Sequence, residues 1–174
     1  VGQNLSFDDG PRGYLTNVPG WKVSGSVMSG YIKGSPVYHG PNSLKLWKNG
    51  GNGDQSVYQF FSATATNQYT LGGYLLSQSM DPFVGSNAYG ALLLEWYGNN
   101  GLLRRQESDH FTPTNLCNIW TYYEIKTVPP ANTTSGRIVC ALFSCNDQEG
   151  YLYFDRLSMN VGEAPAPTGA APVA

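Results

Sequence analysis

The acidic side chains are the first residues whose chemistry could define this chain, because a pair of carboxylates can act as general acid and base in hydrolysis. Such a pair must stand on the two sides of the bond that breaks. Glu95 lies in the apolar run YGALLLEWYG and has no acidic residue two or four positions away. The other acids fall singly on predicted strands, in predicted loops or near the ends of the chain. Their spacing therefore gives no evidence of an acid–base pair.

Histidine and cysteine offer no clearer catalytic group. The candidate bases are His39 and His110, and His110 lies in SDHFTP, a segment with the composition of a loop. No GxSxG turn is present to expose a serine nucleophile. Cys117, Cys140 and Cys145 lack the CxxC pairs of a zinc site. A disulfide between Cys140 and Cys145 requires a turn between them, because an extended strand would hold them too far apart, and Cys117 is an alternative partner. We therefore predict that the chain is not an enzyme.

Overall composition excludes two classes of partner. The net charge is −2, with no basic stripe to neutralise phosphates, so we expect no nucleic-acid partner. No apolar run reaches the roughly 18–20 residues that span a bilayer, so we expect no membrane partner.

The elements that must position any site are predicted to be strands. The chain has 21 Gly, 11 Pro and 12 Tyr but only 13% charged residues, a mixture of turn formers and strand formers. Short aromatic and β-branched runs alternate with Gly, Pro, Asn and Ser clusters. The predicted strands are 4–7, 21–24, 43–48, 56–62, 68–77, 89–97, 102–108, 120–128, 137–144 and 151–159. Ten strands predict an all-β fold, a two-sheet antiparallel β-sandwich.

Turn signals and side-chain alternation add detail to this prediction. The segments 49–53 and 99–101, NGGNG and NNG, predict hairpins. In YGALLLEWYG, alternation buries Leu92, Leu94 and Trp96 and sends Leu93, Glu95 and Tyr97 to the other face. In WTYYEIKTV it buries Trp120, Tyr123 and Ile125 and turns Tyr122, Glu124 and Lys126 outward. Apolar residues on both faces of 89–98 indicate a covered or ligand-binding sheet.

Domain organisation follows from the end of the sequence. Residues 162–174, GEAPAPTGAAPVA, have almost no large apolar side chains to bury. We predict one β-sandwich domain over 1–161 and a Pro/Ala-rich linker or tail over 162–174. A linker implies that the domain is tethered to a larger modular protein.

Several segments, taken in order, resemble one group of known domains. They are NLSFDDG, PGW, GPNSLKL, QYTLGGYLL, WYGNNG, WTYYEIKTVPPANT and YLYFDRLSM. Together they resemble the jelly-roll carbohydrate-binding modules of families four, nine, sixteen and twenty-two over about residues 4–159. The resemblance implies a secreted or extracellular, non-catalytic domain that binds a polysaccharide such as a β-glucan, mannan or xylan. The alternatives are a jelly-roll lyase or glycoside hydrolase, and an adhesive domain that binds protein.

The resemblance also implies a structural calcium ion that joins the first strand, the loop before the SLK strand and the last strand. Calcium takes six to eight oxygen ligands in loose geometry, carbonyl oxygens included. The implied ligands are the carboxylates of Asp8 and Asp155, with Ser6, His39 and Asn42 contributing mainly carbonyl oxygens. Asp9 could replace Asp8, and Asp8 and Asp9 could instead only shape a turn.

The implied sugar site needs flat aromatic faces for the pyranose ring and planar polar side chains for its hydroxyls. Tyr74 falls in the register opposite to Tyr69 and Leu71, where such modules often place a binding aromatic. Trp21 matches an aromatic used by some of them. The predicted ligand-binding residues are Tyr74, Tyr97, Tyr122 and Trp21 as platforms, with Glu95, Arg105 and Gln59 as hydrogen-bonding partners. Trp47, Trp96 and Trp120 are predicted to lie in the core.

Overall fold

The protein is built from strands. The computed structural model describes residues 1–15, 18–24, 30–47, 54–82, 87–112, 114, 117–144 and 150–165. Within these residues the strands are β1 (Gly13–Tyr14), β2 (Lys22–Ser24), β3 (Gly30–Lys33), β4 (Ser43–Trp47), β5 (Gln55–Ser62), β6 (Asn67–Leu76), β7 (Tyr89–Gly98), β8 (Gly101–Glu107), β9 (Thr121–Thr127), β10 (Ser135–Phe143) and β11 (Tyr151–Glu163). The described part of the chain contains no helix long and apolar enough to cross a membrane.

The strands form two antiparallel sheets. The six-stranded sheet has the order β1-β3-β4-β11-β6-β9, and the five-stranded sheet has the order β2-β5-β10-β7-β8. Every pairing within each sheet is antiparallel. The predicted all-β, two-sheet antiparallel sandwich is therefore confirmed.

Alternating side chains of both sheets meet in one core. Leu71 and Leu75 of β6 are fully buried, as are Leu92 and Trp96 of β7. The Tyr69 ring lies 5.1 Å from the Trp96 ring across the interface between the sheets. Each such fully buried leucine contributes about 1.5–3 kcal/mol to the free energy of unfolding. The pattern that predicted the inward face of β7 is confirmed.

The N-terminal strand predicted at 4–7 is wrong. Asn4 and Phe7 have φ angles of 50° and 61°, and the Phe7 amide donates to the Asn4 carbonyl in a turn. Phe7 is nevertheless fully buried and packs on the Trp21 ring at 5.1 Å. The apolar residues of this segment anchor a turn to the core, and composition does not distinguish that role from a strand. The prediction also missed β1 and β3.

One of the two predicted hairpins is present. The segment 99–101 connects β7 to β8, with Gly98 paired to Gly101 and a φ of 109° at Gly101 that favours glycine. Residues 49–53 lie outside the described residues. The strands on either side of them, β4 and β5, belong to different sheets, so the hairpin predicted there is wrong.

The last strand extends past the predicted domain boundary. In β11, Gly162 pairs with Gln68 and Glu163 pairs with Asn67 of β6. Two residues of the segment predicted as linker are therefore part of the six-stranded sheet, and residues 166–174 lie outside the described residues.

Two of the three cysteines are described. Cys117 and Cys140 have free thiols. Cys140 is fully buried on β10, and burial raises the pKa of its thiol well above 9.0, so the thiol stays protonated and unreactive. Cys145 lies outside the described residues.

Candidate functional site

The outer face of the five-stranded sheet carries a second set of apolar side chains. Ala91 and Leu93 of β7 and Val139 and Ala141 of β10 point away from the main core, yet their exposure is at most 3%. Tyr58, Tyr89 and Phe143 pack against this strip. The apolar residues predicted on the outward face of β7 therefore form the floor of a surface with aromatic sides.

A buried carboxylate organises one end of this face. The side chain of Glu95 is 1% exposed and forms ion pairs with Arg105 of β8 and Arg137 of β10. Arg105 Nε donates to Glu95 Oε1 at 2.8 Å, and the Tyr97 hydroxyl donates to Glu95 Oε2 at 2.9 Å. These partners saturate the carboxylate, and its negative charge holds two guanidinium groups and one phenol on the outer face of the sheet.

Three aromatic rings surround the Arg137 guanidinium. Its Cζ lies 4.5 Å from the Tyr58 ring centroid, 5.7 Å from Phe60 and 5.5 Å from Tyr97. Phe60 packs edge-to-face on Tyr58 at 5.8 Å and on Tyr97 at 5.6 Å, and remains 52% exposed. These cation–π and ring contacts hold the aromatic groups in fixed orientations while one large apolar face stays open to solvent.

We call this group of side chains the candidate site, defined by Tyr58, Phe60, Glu95, Tyr97, Arg105 and Arg137. Burial, followed by the hydrogen bond to Glu95, raises the pKa of Tyr97 above 10.0. The phenol is therefore neutral at physiological pH and donates its proton to the carboxylate. The site combines apolar ring faces with planar polar groups whose positions are set before any ligand arrives.

The other end of the same face contains a histidine. The His110 ring stacks on Tyr89 at 3.8 Å, and its Nε2 lies 3.0 Å from Glu107 Oε2. The Tyr89 hydroxyl donates to the same carboxylate at 3.4 Å. Burial raises the pKa of Tyr89 above 10.0, with Glu107 adding to the effect. A phenol with a raised pKa is a poor general base at neutral pH.

The outer face of the six-stranded sheet has its own aromatic groups. The tyrosine cluster consists of Tyr38, Tyr74, Trp120 and Tyr122. Tyr38 stacks on Tyr74 at 3.7 Å, and Tyr74 packs on Tyr122 at 5.2 Å. The ring of Tyr122 lies over Gly72, where a Cβ atom would overlap with the Tyr122 hydroxyl. In this cluster the rings cover one another.

The structure does not bring the seven predicted ligand residues together. Glu95, Tyr97 and Arg105 belong to the candidate site, whereas Tyr74 and Tyr122 lie on the opposite face of the sandwich.

Two of the predicted ligand residues are buried. Trp21 is 4% exposed, packs on Phe7 and donates its Nε1–H to the Asn4 carbonyl. Gln59 is 3% exposed, and its amide forms hydrogen bonds with both the N–H and the C=O of Gln3. Both side chains hold the N-terminal segment against the sandwich, a role that their spacing did not reveal.

Two of the three tryptophans predicted in the core are not there. Trp96 is fully buried, as expected. Trp47 lies on the outer face of the six-stranded sheet beside Tyr151, and Trp120 contacts Tyr38 in the tyrosine cluster. Trp120 precedes β9, so strand alternation does not apply to it.

Sequence reasoning missed three residues of the candidate site: Tyr58, Phe60 and Arg137. The sequence held one signal, because residue types alternate in SVYQFFS. In the structure β5 pairs with β10, so that Phe60 lies opposite Arg137. Pairing of distant strands cannot be deduced from one sequence, and this pairing is what joins them to Glu95.

Asp155 occupies a buried position on β11, which lies between β4 and β6 in the six-stranded sheet. Its Oδ2 accepts hydrogen bonds from the backbone amides of Tyr38 at 2.6 Å and His39 at 3.0 Å. Its Oδ1 accepts one from the backbone amide of Arg156 at 2.6 Å. Its pKa is nevertheless raised above 3.8, chiefly by burial, and the nearby negative charge of Asp8 adds to the rise. Two carboxylates therefore lie close enough to repel each other.

Asp8 and Asn42, two further residues predicted as calcium ligands, contact each other near this position. The Asn42 amide N–H donates to Asp8 Oδ1 at 3.2 Å, and its side-chain Nδ2 donates to the Phe7 carbonyl at 3.2 Å. Arg12 Nε donates to Asn42 Oδ1 at 3.0 Å, so the Asn42 side chain is already engaged. Ser6 lies in the turn that precedes Phe7.

The donor chemistry of this corner fits calcium. It brings together two carboxylates and backbone carbonyls, the hard oxygen ligands that Ca²⁺ prefers. No group of three or more His, Cys, Asp or Glu side chains suited to a metal ion occurs in the described ranges. Any calcium site here therefore depends on Asp8 and Asp155 for its charge and on main-chain oxygens for the rest.

Comparison with known proteins defines the class of fold. No protein-family model and no curated protein sequence matches this chain. The CBM22-1 xylan-binding domain from Paenibacillus barcinonensis aligns over 92% of this chain and 94% of its own, with a TM-score of 0.58 and 13% identity. The fold is therefore the jelly-roll sandwich of carbohydrate-binding modules, as the sequence resemblance implied.

Enzymes share this fold. An arabinose-bound GH51 α-L-arabinofuranosidase aligns over 92% of this chain with a TM-score of 0.69 and 16% identity, and this chain spans 26% of that enzyme. A cyclase from Fischerella sp. TAU, in complex with an indolyl butanone, aligns over 95% of this chain and 98% of its own, with a TM-score of 0.63 and 10% identity. The fold thus occurs as a part of larger enzymes, as a binding domain and as a cyclase, and the site must decide the function.

Proposed function

We propose that this domain binds a polysaccharide without cleaving it, through the candidate site on the five-stranded sheet, as an extracellular part of a larger modular protein. The observation that carries the proposal is the saturated Glu95 carboxylate, which fixes Arg105, Arg137 and Tyr97 beside the open face of Phe60. The xylan-binding neighbour with the same fold supports the ligand class.

The chemistry of the site suits a neutral sugar chain. A pyranose ring has an apolar face of C–H groups that packs on an aromatic ring, and Phe60, held edge-to-face by Tyr97, presents such a ring to solvent. Sugar hydroxyls accept hydrogen bonds from guanidinium groups, and the side chain of Arg105 is 45% exposed for that purpose. Because Glu95 holds the guanidinium groups in place, binding loses little side-chain entropy.

The carboxylate arrangement argues for binding over hydrolysis. Hydrolysis by two carboxylates needs one on each side of the scissile bond. Glu95 is covered by its two arginines and Tyr97, and Glu107 is engaged with His110 and Tyr89. Neither is presented as a free acid or base.

We also propose that calcium binds at Asp8 and Asp155 and stabilises the domain. The support is the convergence of these two carboxylates at a corner lined by the carbonyls of Phe7 and Asp8, where the negative charge of Asp8 raises the pKa of Asp155 by repulsion. A bound cation would remove that repulsion and tie the N-terminal turn to β11.

Affinity electrophoresis in gels that contain xylan, β-glucan, galactan or mannan tests the proposed function. We expect at least one polymer to retard the protein, and Phe60→Ala to weaken its affinity about tenfold, because one aromatic face is worth about 1–2 kcal/mol. Tyr122→Ala is the matched control, since Tyr122 is 47% exposed on the opposite sheet. It should change the affinity less than twofold.

Two results would contradict the proposal. The first is retardation that Tyr122→Ala abolishes and Phe60→Ala leaves intact, which would place binding on the six-stranded sheet. The second is the release of reducing or unsaturated ends from these polymers, lost in Tyr89→Phe, which would make the domain an enzyme acting at Tyr89, Glu107 and His110.

A further inference from the structure

Four aromatic side chains from four neighbouring strands meet at one side of the six-stranded sheet's outer face. Tyr14 of β1 packs edge-to-face on Tyr31 of β3 at 5.1 Å, and Trp47 of β4 packs edge-to-face on Tyr151 of β11 at 6.2 Å. Tyr14 also contacts Trp47 at 6.3 Å and is 44% exposed. The rings face different directions, so they form the sides of a surface rather than a flat platform.

A lysine lies among these rings. Lys45 Nζ is 3.4 Å from the Tyr151 ring centroid and 5.0 Å from that of Trp47. We call Tyr14, Tyr31, Lys45, Trp47 and Tyr151 the aromatic–lysine cluster. None of these residues has a place in the function proposed above.

Two lysines and one aspartate determine the charge at the cluster. Partial burial lowers the pKa of Lys45 below 10.5, and Lys33 lowers it further, while Asp81 acts in the opposite direction. Lys33 lies on the same face, two residues after Tyr31 on β3. Within the described part of the chain, neither lysine forms an ion pair.

We infer that the aromatic–lysine cluster is a second ligand site, specific for a sugar that carries a carboxylate, as in a uronic-acid oligosaccharide. The rings offer apolar faces to the sugar C–H groups, and Lys45 and Lys33 donate charge-assisted hydrogen bonds to the carboxylate oxygens. This site lies on the face of the sandwich opposite to the candidate site and acts independently of it.

Charge complementarity selects this ligand over a neutral sugar. A neutral ring placed over the cluster would bury the Lys45 ammonium further without giving it an anionic partner, which costs free energy. A carboxylate placed there supplies that partner and offsets the repulsion between Lys45 and Lys33. Repulsion from Lys45 and Lys33 likewise disfavours any cationic ligand.

Titration of the isotope-labelled protein, followed by NMR, tests the inference. The probes are trisaccharides of galacturonate, guluronate and mannuronate, each compared with its own methyl ester, which keeps the ring and removes the charge. We expect at least one acid trisaccharide to shift the signals of Tyr14, Tyr31 and the Trp47 indole and to bind about tenfold more tightly than its ester.

Lysine variants test whether the acid binds at the aromatic–lysine cluster. Lys45→Met, which keeps the aliphatic stem, should weaken binding of the acid about tenfold, and Lys33→Met provides a second test that leaves the ring contacts of Lys45 untouched. Lys126→Met is the control, because it removes one charge from the outer face of the same sheet far from the cluster. It should change the affinity less than twofold. A Phe60→Ala background should leave binding of the acid unchanged.

Three results would overturn the inference. They are equal binding of acid and ester for every trisaccharide, no detectable binding of any acid at the cluster, and equal losses in Lys33→Met and Lys126→Met, which would indicate a diffuse effect of net charge. Signals that shift only around Phe60 and Tyr97 would assign the acid to the candidate site and would also count against it.

Discussion

The two outer faces of the sandwich both carry aromatic rings but organise them differently. On the five-stranded sheet, Tyr58, Phe60 and Tyr97 surround a guanidinium that a buried carboxylate holds. In the tyrosine cluster on the six-stranded sheet, Tyr38 and Tyr74 stack on each other at 3.7 Å. The rings of both groups pack on one another, whereas those of the candidate site also surround a cation that a buried carboxylate holds in place.

The difference shows that exposure by itself does not identify a binding platform. Phe60 and Tyr122 are 52% and 47% exposed, almost the same fraction. What separates them is the glutamate near each ring. The buried Glu95 holds Arg137 and Tyr97, which contact Phe60, whereas the exposed Glu124 accepts a hydrogen bond from Tyr122 itself. Glutamate variants on each face therefore test the comparison most strongly.

The largest expected effect is on stability. Glu95→Ala leaves two guanidinium groups without their anion, so we expect it to lower the free energy of unfolding by about 2–3 kcal/mol, less than the roughly 3–5 kcal/mol of a fully buried pair because Arg105 is partly solvated. Glu124→Ala, on the opposite face, should change it by less than about 0.5 kcal/mol. Urea denaturation measures both. Equal losses in the two variants would end the distinction between the faces.

Calcium should produce the next largest effect, and it concerns the corner where the N-terminal segment meets β11. A ligand at 100 times its dissociation constant that binds only the folded state adds about 2.7 kcal/mol, which raises the melting temperature by about 5–10 °C in a domain of this size. Differential scanning fluorimetry with calcium and with a chelator measures the shift. Asp155→Asn should remove it, and an undiminished shift in that variant would exclude Asp155 as a ligand.

The smallest expected effect compares two phenol hydroxyls that each donate to a glutamate two residues away. Tyr97 Oη lies 2.9 Å from Glu95 Oε2, and Tyr122 Oη lies 3.0 Å from Glu124 Oε2. Tyr97→Phe leaves a buried carboxylate with one donor fewer and should cost about 1 kcal/mol of stability. Tyr122→Phe should cost less than about 0.5 kcal/mol, because water replaces the lost donor. A larger loss of stability in Tyr122→Phe than in Tyr97→Phe, measured by denaturation, would contradict the role of Glu95 in holding the candidate site.

Much of the fold was predictable because alternation along strands is a local property. The segment 89–98 gave both faces of β7 correctly, down to the outward Leu93 and Glu95. The turn at Asn4 to Phe7 was missed because the positive φ of a buried Phe cannot be read from its residue type, and an apolar residue there looks like the end of a strand. The change of sheet between β4 and β5 was missed because a glycine-rich segment resembles a hairpin wherever its flanking strands go.

The candidate site was only half predictable for the same reason. Glu95, Tyr97 and Arg105 lie on one hairpin, so a local pattern could group them. Phe60 and Arg137 reach Glu95 through the pairing of β10 with β5 and β7, which joins residues about forty and eighty positions apart in the printed sequence. Tyr74 and Tyr122 were grouped with Glu95, Tyr97 and Arg105 because alternation shows that a residue points outward but does not show which of the two sheets contains its strand.

Gly72 determines how the Tyr122 ring lies on the outer face of the six-stranded sheet. The absence of a side chain at this position creates a depression between β11 and β9, and the Tyr122 phenol lies down in it. A single methyl group there would overlap with the Tyr122 hydroxyl, so the ring would have to move away from β6. The position of the Tyr122 ring on this face therefore depends on the missing side chain of Gly72.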